Sequence, residues 1–314
     1  MAESIDGLAL VTGATGFVGA KLAAALLDRG VGVRVLTRDP ARVGGLAARG
    51  AQPHRGDVTD PASLRGAGAG VSVAYYLVHA MAGGGDFAER ELAGARSFAE
   101  MARREGVERV VYLGGLGDAS TSTHLQSRHR TALTLRESGP PLTYFRAAMV
   151  VGARSESYRT LRHLVKRLPV MIAPAWLKTP TQPIAISDVI DYLVQAPALL
   201  ESAGREVQIG GPDVLSYGAM LDRMALAMGI RPRPKIPVPW ITPGLSSLWL
   251  GLVTPVDTNV ARPLVEGLRT PTVVTDPAAA ACFPVIPVGF DEALRAALEE
   301  ERVAGATTPD GPAA

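Results

Sequence analysis

A glycine-rich segment near the N-terminus constrains the fold of this 314-residue chain more than any other feature. The apolar run from Leu8 to Val11 predicts a buried strand, and the segment TGATGFVG follows directly, ahead of apolar residues at helical spacing. In a strand–turn–helix unit, successive glycines allow the tight turn, the approach of a pyrophosphate, and close packing of helix on strand. The segment predicts a dinucleotide site formed by Gly13, Thr15, Gly16, Phe17, Val18 and Gly19.

Apolar runs alternate with helical patterns through the first 150 residues, which is typical of βαβ units. We predict an α/β fold: a Rossmann doubly wound parallel sheet with helices on both faces, followed by a smaller C-terminal substrate-binding lobe. The expected domains are an NAD(P)-binding domain over 1–150, the lobe over 151–304 with 184–210 returning to the sheet, and a flexible tail over 305–314.

Individual elements are also predicted from caps and periodicity. We expect helices over 40–50, 86–104, 123–137 and 290–303, a fourth strand over 71–78, and a helix capped by Ser187 that ends at Leu200. Ser216 is expected to cap a further helix, and Tyr75 and Tyr76 are expected in the core.

Charge and composition exclude several classes of protein. With 32 basic and 30 acidic side chains, the chain has no basic stripe for nucleic acid. Cys282 is the only cysteine, the five histidines lack metal-ligand spacing, and no leader is visible, so we expect a cytoplasmic protein without a metal. The apolar stretch 245–256 is well short of the ~20 residues that span a bilayer.

The end of the second strand indicates which dinucleotide is bound. An NADP site has Arg there for the 2′-phosphate, whereas an NAD site has Asp or Glu. Arg38 is the main candidate and Arg34 a second, while Asp39 caps the helix that starts at Pro40, so NADP(H) is preferred over NAD(H). Arg38 as a solvated loop residue remains open. Asp57 with Val58 follows the third strand, where the carboxylate either meets the adenine amino group or closes a turn.

Several segments together resemble a known superfamily. The glycine turn, GDV at 56–58, YYLVHAM at 75–81, YLGGLGD at 112–118 and QPIAISDV at 182–189 resemble the atypical, extended short-chain dehydrogenase/reductases, most of all the NmrA-like and complex-I-subunit-like NAD(P)H-binding branch. The resemblance covers roughly residues 8–300. It implies cofactor contacts after the fourth, fifth and sixth strands, at Val78, His79, Ala80, Gly114, Ala147 and Met149.

The catalytic pair of that superfamily is absent. The family has a Tyr and a Lys four residues later on the helix after the fifth strand, with a Ser at the strand end. At the corresponding positions this sequence has His124 and Arg128 in place of Tyr and Lys, and Gly114-Gly115 in place of the Ser. His124 could act as the acid, with Arg128 holding ribose hydroxyls or an oxyanion; alternatively both are ordinary surface residues. His79 is a second candidate acid. Tyr158 with Arg162 has the same spacing, but the pair lies beyond the sixth strand, where the geometry of the family would not place it.

The favoured function is hydride transfer between NADP(H) and a medium-sized apolar carbonyl or enone. The alternatives are a non-catalytic NAD(P)H-binding sensor or assembly protein, and a cofactor-assisted isomerase or cyclase. The expected partner is a small, apolar substrate, and an oligomer is possible. Trp176, Trp240 and Trp249 either line a substrate pocket or pack helices.

Overall fold

The computed structural model describes residues 7–78, 86–118, 122–237 and 269–307. The chain divides into two compact units. Unit 1 comprises 1–147, 189–209 and 274–285, and unit 2 comprises 148–188, 210–273 and 286–314.

Unit 1 is built on a seven-stranded sheet. Its strands are β1 Leu8–Thr12, β2 Gly32–Thr37, β3 Gln52–Arg55, β4 Val71–Tyr76, β5 Arg109–Gly115, β6 Leu142–Ala147 and β11 Glu206–Ile209. The spatial order is β11-β6-β5-β4-β1-β2-β3, and every adjacent pair is parallel. This order reverses direction between β1 and β4, which is the topological switch point of a Rossmann sheet. The predicted fold class is confirmed.

Helices cover both faces of this sheet. They are α1 Phe17–Asp28, α2 Gly44–Ala47, α3 Asp86–Arg104, α4 Thr123–Ser138, the part of α6 (Ile186–Gln195) from Val189 onward, and α8 Ala278–Ala281. Consecutive strand residues point to opposite faces. Tyr76 therefore packs on Phe98 of α3 with ring centroids 5.0 Å apart, whereas the Tyr75 hydroxyl donates to the Leu193 carbonyl of α6 at 3.1 Å. Both tyrosines are buried, as predicted.

Several predicted boundaries were wrong for local reasons. The helix over 40–50 is a 3-10 turn, Pro40–Val43, followed by the short α2, because Gly44 and Gly45 weaken a continuous helix. Asp39 does cap it, accepting the Ala41 N–H at 3.1 Å. Ser187 lies inside α6 and bonds Asp188 instead of capping the helix, which ends at Gln195, before Pro197.

Two further boundaries differ at strand and helix ends. β4 stops at Tyr76 rather than Val78, because the Thr12 hydroxyl accepts the Leu77 N–H at 3.0 Å and ends the ladder. The C-terminal helix, α9 Phe290–Thr307, continues four residues beyond the predicted end at Val303.

Unit 2 is a helical cluster with short strands. Its helices are α5 Glu156–Arg167, α7 Tyr217–Ala227 and α9. Its strands are β7 Val150–Val151, β8 Met171–Ala173, β9 Pro180–Thr181, β10 Ile184–Ala185, β12 Leu215–Ser216 and β13 Lys235–Pro237, paired as β10-β7, β12-β9 and β13-β8. The core is apolar and includes Tyr158, Leu221, Met224, Leu294 and Trp176.

Trp176 is thus buried in helix packing, 6.1 Å from the Tyr217 ring. Trp240, Trp249 and the stretch 245–256 lie outside the described residues. Among the helices that the structure describes, none is long and apolar enough to cross a membrane.

Candidate functional site: the carboxyl edge of the sheet in unit 1

The turn after β1 has a backbone that only glycine fits at two positions. Gly13 has φ +70°, and a Cβ there would lie 2.5 Å from the Leu77 carbonyl oxygen. A Cβ at Gly19 would overlap the Gly13 carbonyl group. Gly16 is the exposed N-cap of α1, and its N–H bonds the Gly13 carbonyl at 2.9 Å. This hydrogen bond closes the turn, and at its glycines the turn presents backbone atoms without side chains.

The first turn of α1 faces outward from that closed turn. Helix amides N1 to N3 have no intrahelical acceptor, and the first turn carries no acidic side chain. Thr15 is exposed beside it, while Phe17 and Val18 are half-buried. Bare backbone plus free amides at the positive end of a helix is the cradle that a pyrophosphate requires, so the residues present fit a dinucleotide.

Thr12 fixes this turn against the neighbouring strand, a role that the sequence analysis missed. It is fully buried, and its hydroxyl donates to the Tyr75 carbonyl at 3.0 Å while accepting the Leu77 N–H. The end of β1 is thereby joined to the end of β4, next to Val78. The sequence signal for this role was a polar residue at the end of an otherwise apolar strand.

Arg38 follows β2 at the same edge of the sheet. It is exposed, and no hydrogen bond or ion pair joins it to the described residues. Arg34, the second candidate, is engaged elsewhere: its guanidinium donates to the carbonyls of Gly66, Ala67 and Ala69 at 3.2, 2.9 and 2.8 Å. Arg34 is therefore not available to a ligand at this edge.

Asp57 follows β3 and forms a turn. Its Oδ1 accepts the N–H and the hydroxyl of Thr59 at 2.9 and 2.8 Å, which is the turn-closing alternative. The side chain of Val58 is buried in the core beside Gly94.

Arg128 brings a cation to the end of β5. It lies on α4, and its guanidinium donates to the Leu113 carbonyl at 3.2 Å, while its buried Nε has no hydrogen-bond partner. The carbonyl of Arg128 accepts the Tyr112 hydroxyl at 3.3 Å. Arg128 is thus held against the strand end rather than on the outer helix surface.

Gly114, the position where the sequence resemblance implies a serine, lies against a tyrosine ring. A Cβ at Gly114 would meet the Tyr144 ring at 2.7 Å and its hydroxyl at 2.8 Å. Tyr144 is 1% exposed and stacks on Tyr112 with centroids 5.4 Å apart. Burial raises the pKa of Tyr144 well above its usual range, so the phenol stays protonated. No larger residue than glycine fits at 114 while this ring is present.

Arg146 shapes the loop that follows β5, and the sequence analysis missed it too. Its guanidinium donates to the carbonyls of Gly115 (3.3 Å) and Gly117 and pairs with Glu206 at 2.7 Å. Ala147, at the end of β6, accepts the Leu116 N–H at 2.7 Å. The sequence signal for this role was a charged residue within a buried strand.

The remaining predicted residues divide into two groups. His79 and Ala80 lie outside the described residues, and for His124 only the backbone, in the first turn of α4, is described. Met149 belongs to unit 2, where its carbonyl accepts the Ile184 N–H at 2.9 Å. Tyr158 is buried there and bonds Glu301 at 3.3 Å. Within the described ranges, no group of His, Cys, Asp and Glu is placed to hold a metal ion.

The parallel sheet and its glycine turn define a dinucleotide-binding protein of the Rossmann class. Residues 13–163 match a family model described as NAD(P)H-binding. The match confirms the NAD(P)H-binding character that the sequence resemblance implies.

Curated proteins match only part of the chain. Sterol demethylase protein B of Methylococcus capsulatus is 39% identical over 113 residues, which cover 34% of this chain and 34% of that protein. Cinnamoyl-CoA reductase 1 of Oryza sativa is 35% identical over 117 residues, 35% of each. The chain thus matches about a third of the length of these relatives.

Solved structures match nearly the whole chain. The structure of triphenylmethane reductase of Citrobacter sp., complexed with NADP(H), matches with a TM-score of 0.72 at 15% identity. The match covers 92% of this chain and 99% of the reductase chain. The NADPH-dependent quinone oxidoreductase of Escherichia coli gives 0.72 at 18%, with 91% and 98% covered. UDP-glucose 4-epimerase of Thermotoga maritima gives 0.71 at 16%, with 95% and 99% covered. At these identities the likeness establishes the fold.

Proposed function

We propose that this protein is an NADP(H)-dependent oxidoreductase that acts on a medium-sized apolar carbonyl or enone. The observation that carries the proposal is Arg128, a cation held at the end of β5 with a buried N–H that has no partner. A buried donor without a partner is costly, and such donors are expected where a ligand completes the bonding.

The preference for NADP(H) rests on Arg38. Bound NADPH would supply the hydride for the reduction. The glycine turn from Gly13 to Gly19 would hold the pyrophosphate, and the exposed Arg38 guanidinium would pair with the 2′-phosphate. Arg34 is not proposed for this role, because its Nη1 donates to three carbonyls of the loop 66–69.

Arg128 would take over the electrostatic part of the missing lysine's role. A guanidinium remains charged at all physiological pH values, and its planar donors can hold ribose hydroxyls or an oxyanion. His124 lies four residues earlier in the first turn of α4. An imidazole titrates near neutral pH, and we propose His124 as the proton donor, with His79 as the second candidate.

The missing Tyr-Lys pair favours a second candidate, an NAD(P)H-binding sensor or assembly protein without turnover. Since the chain matches only about a third of its curated relatives, their activities do not decide between the two. We propose the cytoplasm as its compartment, where reduced pyridine nucleotides are available and the exposed thiol of Cys282 stays reduced.

The test combines cofactor binding with turnover. Calorimetric titration with NADPH and NADH measures binding, and the absorbance of NADPH is then followed with a panel of apolar aldehydes, ketones, enones and quinones. We expect oxidation with at least one member, and a loss of about 10²-fold in kcat/KM for Arg128→Met. Arg136→Met, an exposed position in the last turn of the same helix, is the matched control and should stay within about twofold.

Three results separate the candidate functions. Tight NADPH binding without oxidation of any panel member would favour the sensor. Product formation with catalytic NADP(H) and no net oxidation would identify an isomerase or cyclase. Equal activity of Arg128→Met and wild type would remove Arg128 from the site.

A further inference from the structure

Ser122 occupies the N-cap position of α4, but its side chain does not make the capping hydrogen bond. Its carbonyl accepts the Gln126 N–H at 2.9 Å, so it is the N-cap residue, yet its hydroxyl makes no capping bond. Two other serine caps lie within the described ranges and behave as expected: Ser155 accepts the Tyr158 N–H and Ser216 the Ala219 N–H, both at 3.1 Å. Among these three described serine caps, Ser122 is therefore the exception.

The Ser122 hydroxyl is also buried without a partner. The residue is 4% exposed, and its Oγ makes no hydrogen bond. In the described part of unit 1, Arg128 and Thr131 of α4 also have buried polar side-chain atoms, but both side chains interact with the Tyr112 hydroxyl, whereas the Ser122 hydroxyl has no such neighbour. An unpaired buried hydroxyl normally lowers stability, so Ser122 indicates a ligand at the start of α4.

The start of α4 is suited to an oxygen that carries negative charge. α4 has 16 residues, its first turn holds no acidic side chain, and its first three amides lack intrahelical acceptors. It follows β5, so it begins at the same edge of the sheet as the glycine turn. The unused hydroxyl belongs to the residue that directly precedes these free amides, and both are hydrogen-bond donors.

We propose that the Ser122 hydroxyl and the first-turn amides of α4 bind the reacting carbonyl oxygen of the substrate. This inference rests on the proposed reductase function. As the carbonyl carbon accepts a hydride from NADPH, which becomes NADP⁺, the π pair of the C=O bond moves onto the oxygen. Ser122 donates a hydrogen bond to that oxygen and keeps its own proton. The oxygen then takes one proton from water, directly or through His124, and the product is the alcohol.

Ser122→Ala is the decisive variant because the catalytic and structural roles predict different results. With the carbonyl substrate found in the screen, we expect kcat to fall about 10²-fold and the NADPH Kd to stay within about twofold. Because the hydroxyl caps nothing, Tm should stay equal or rise. Ser122→Thr keeps the hydroxyl and should recover at least a tenth of the activity. Ser138→Ala, at the other end of α4, is the control and should match wild type.

Two outcomes would overturn the inference: Ser122→Ala with wild-type kcat, or Ser122→Ala with a Tm several degrees lower, which would make Ser122 a structural cap. If wild type binds NADPH but oxidises it with no carbonyl, the reductase function fails separately. Binding of benzoate to the NADP⁺ complex then decides the oxygen site. Binding that weakens at least tenfold in Ser122→Ala supports the site, and equal binding by both proteins contradicts it.

Discussion

The two edges of the sheet in unit 1 use their charged side chains differently. At the amino edge, these side chains hold loops together: Arg34 donates to three carbonyls of the loop 66–69, and Glu105 accepts two of its amides at 2.9 and 2.7 Å. Arg109, 8% exposed, donates to the carbonyls of Ala196 and Leu199 at 2.7 and 3.0 Å. These three charged side chains are thus used within the chain.

The carboxyl edge leaves donors unused. Arg38 is exposed with no partner among the described residues, and the Ser122 hydroxyl and Arg128 Nε are buried with none. Arg146 and Asp57 also hold loops at the carboxyl edge, so the two edges differ only in the groups left over. We propose that the unused donors of Arg38, Ser122 and Arg128 serve a ligand, whereas the charges named at the amino edge hold the fold.

The largest expected effect is at Gly13. Gly13→Ala puts a side chain at φ +70° and within 2.5 Å of the Leu77 carbonyl, so the turn must open. We expect the NADPH Kd to rise at least about 100-fold, or about 2.7 kcal/mol. Fluorescence titration of NADPH measures this, with circular dichroism as a check on folding.

Gly44→Ala is the matched control for Gly13→Ala. Gly44 has φ −54°, and nothing lies within 4 Å of its added Cβ. It should bind NADPH like wild type, with equal or slightly higher stability. NADPH binding by Gly13→Ala at wild-type affinity would show that the turn is not the pyrophosphate site.

A smaller effect is expected at Arg38, and it compares the two edges directly. Arg38→Ala should weaken NADPH binding about 30-fold, or about 2 kcal/mol, and leave NADH binding within about twofold, because only NADPH has the 2′-phosphate. Arg34→Ala should do the reverse: Tm falls because three carbonyls lose their donor, while the ratio of the two Kd values is unchanged. Calorimetry with both nucleotides measures the ratio. If Arg38→Ala left it unchanged, the cofactor preference would have another source.

Much of the carboxyl edge could be predicted from local sequence. The strand, turn and helix around Gly13 follow from an apolar run and fixed glycine spacing, both of which act over neighbouring residues. The position of Arg38 follows from the end of β2 in the same way. The unusable Arg34 could not be predicted, since the carbonyls it serves lie more than thirty residues later in the chain.

Long-range contacts decided what the sequence could not. β4 ends early because a hydroxyl from β1 takes the Leu77 N–H, and Gly114 stays glycine because a ring from β6 fills its space. Ser122, Ser155 and Ser216 all precede helices, so their pattern in the sequence is the same. Only the three-dimensional bonding shows that two of them cap and one does not.

The smallest effect concerns Glu105 at the amino edge. Burial acting alone would raise the pKa of this carboxyl, but the Gly66 and Gly68 amides and the Arg104 guanidinium outweigh it and hold the pKa below its ordinary value. The folded pKa is thus lower than the unfolded one. The stabilisation by Glu105 is therefore complete above the pKa of the unfolded state, about 4.3, and is lost as the pH falls through the pKa of the folded state.

Glu105→Gln should lower the free energy of unfolding at pH 7 by no more than about 1 kcal/mol, because solvent screens this partly exposed carboxyl. The difference from wild type should shrink below about pH 4, as the wild-type carboxylate takes up a proton. Urea unfolding between pH 3 and 7 measures it, with the exposed Glu100→Gln as control. NADPH affinity should be unchanged at pH 7. A variant that kept its stability but lost NADPH affinity would contradict the separation of the two edges, because a residue of the amino edge would then serve the ligand.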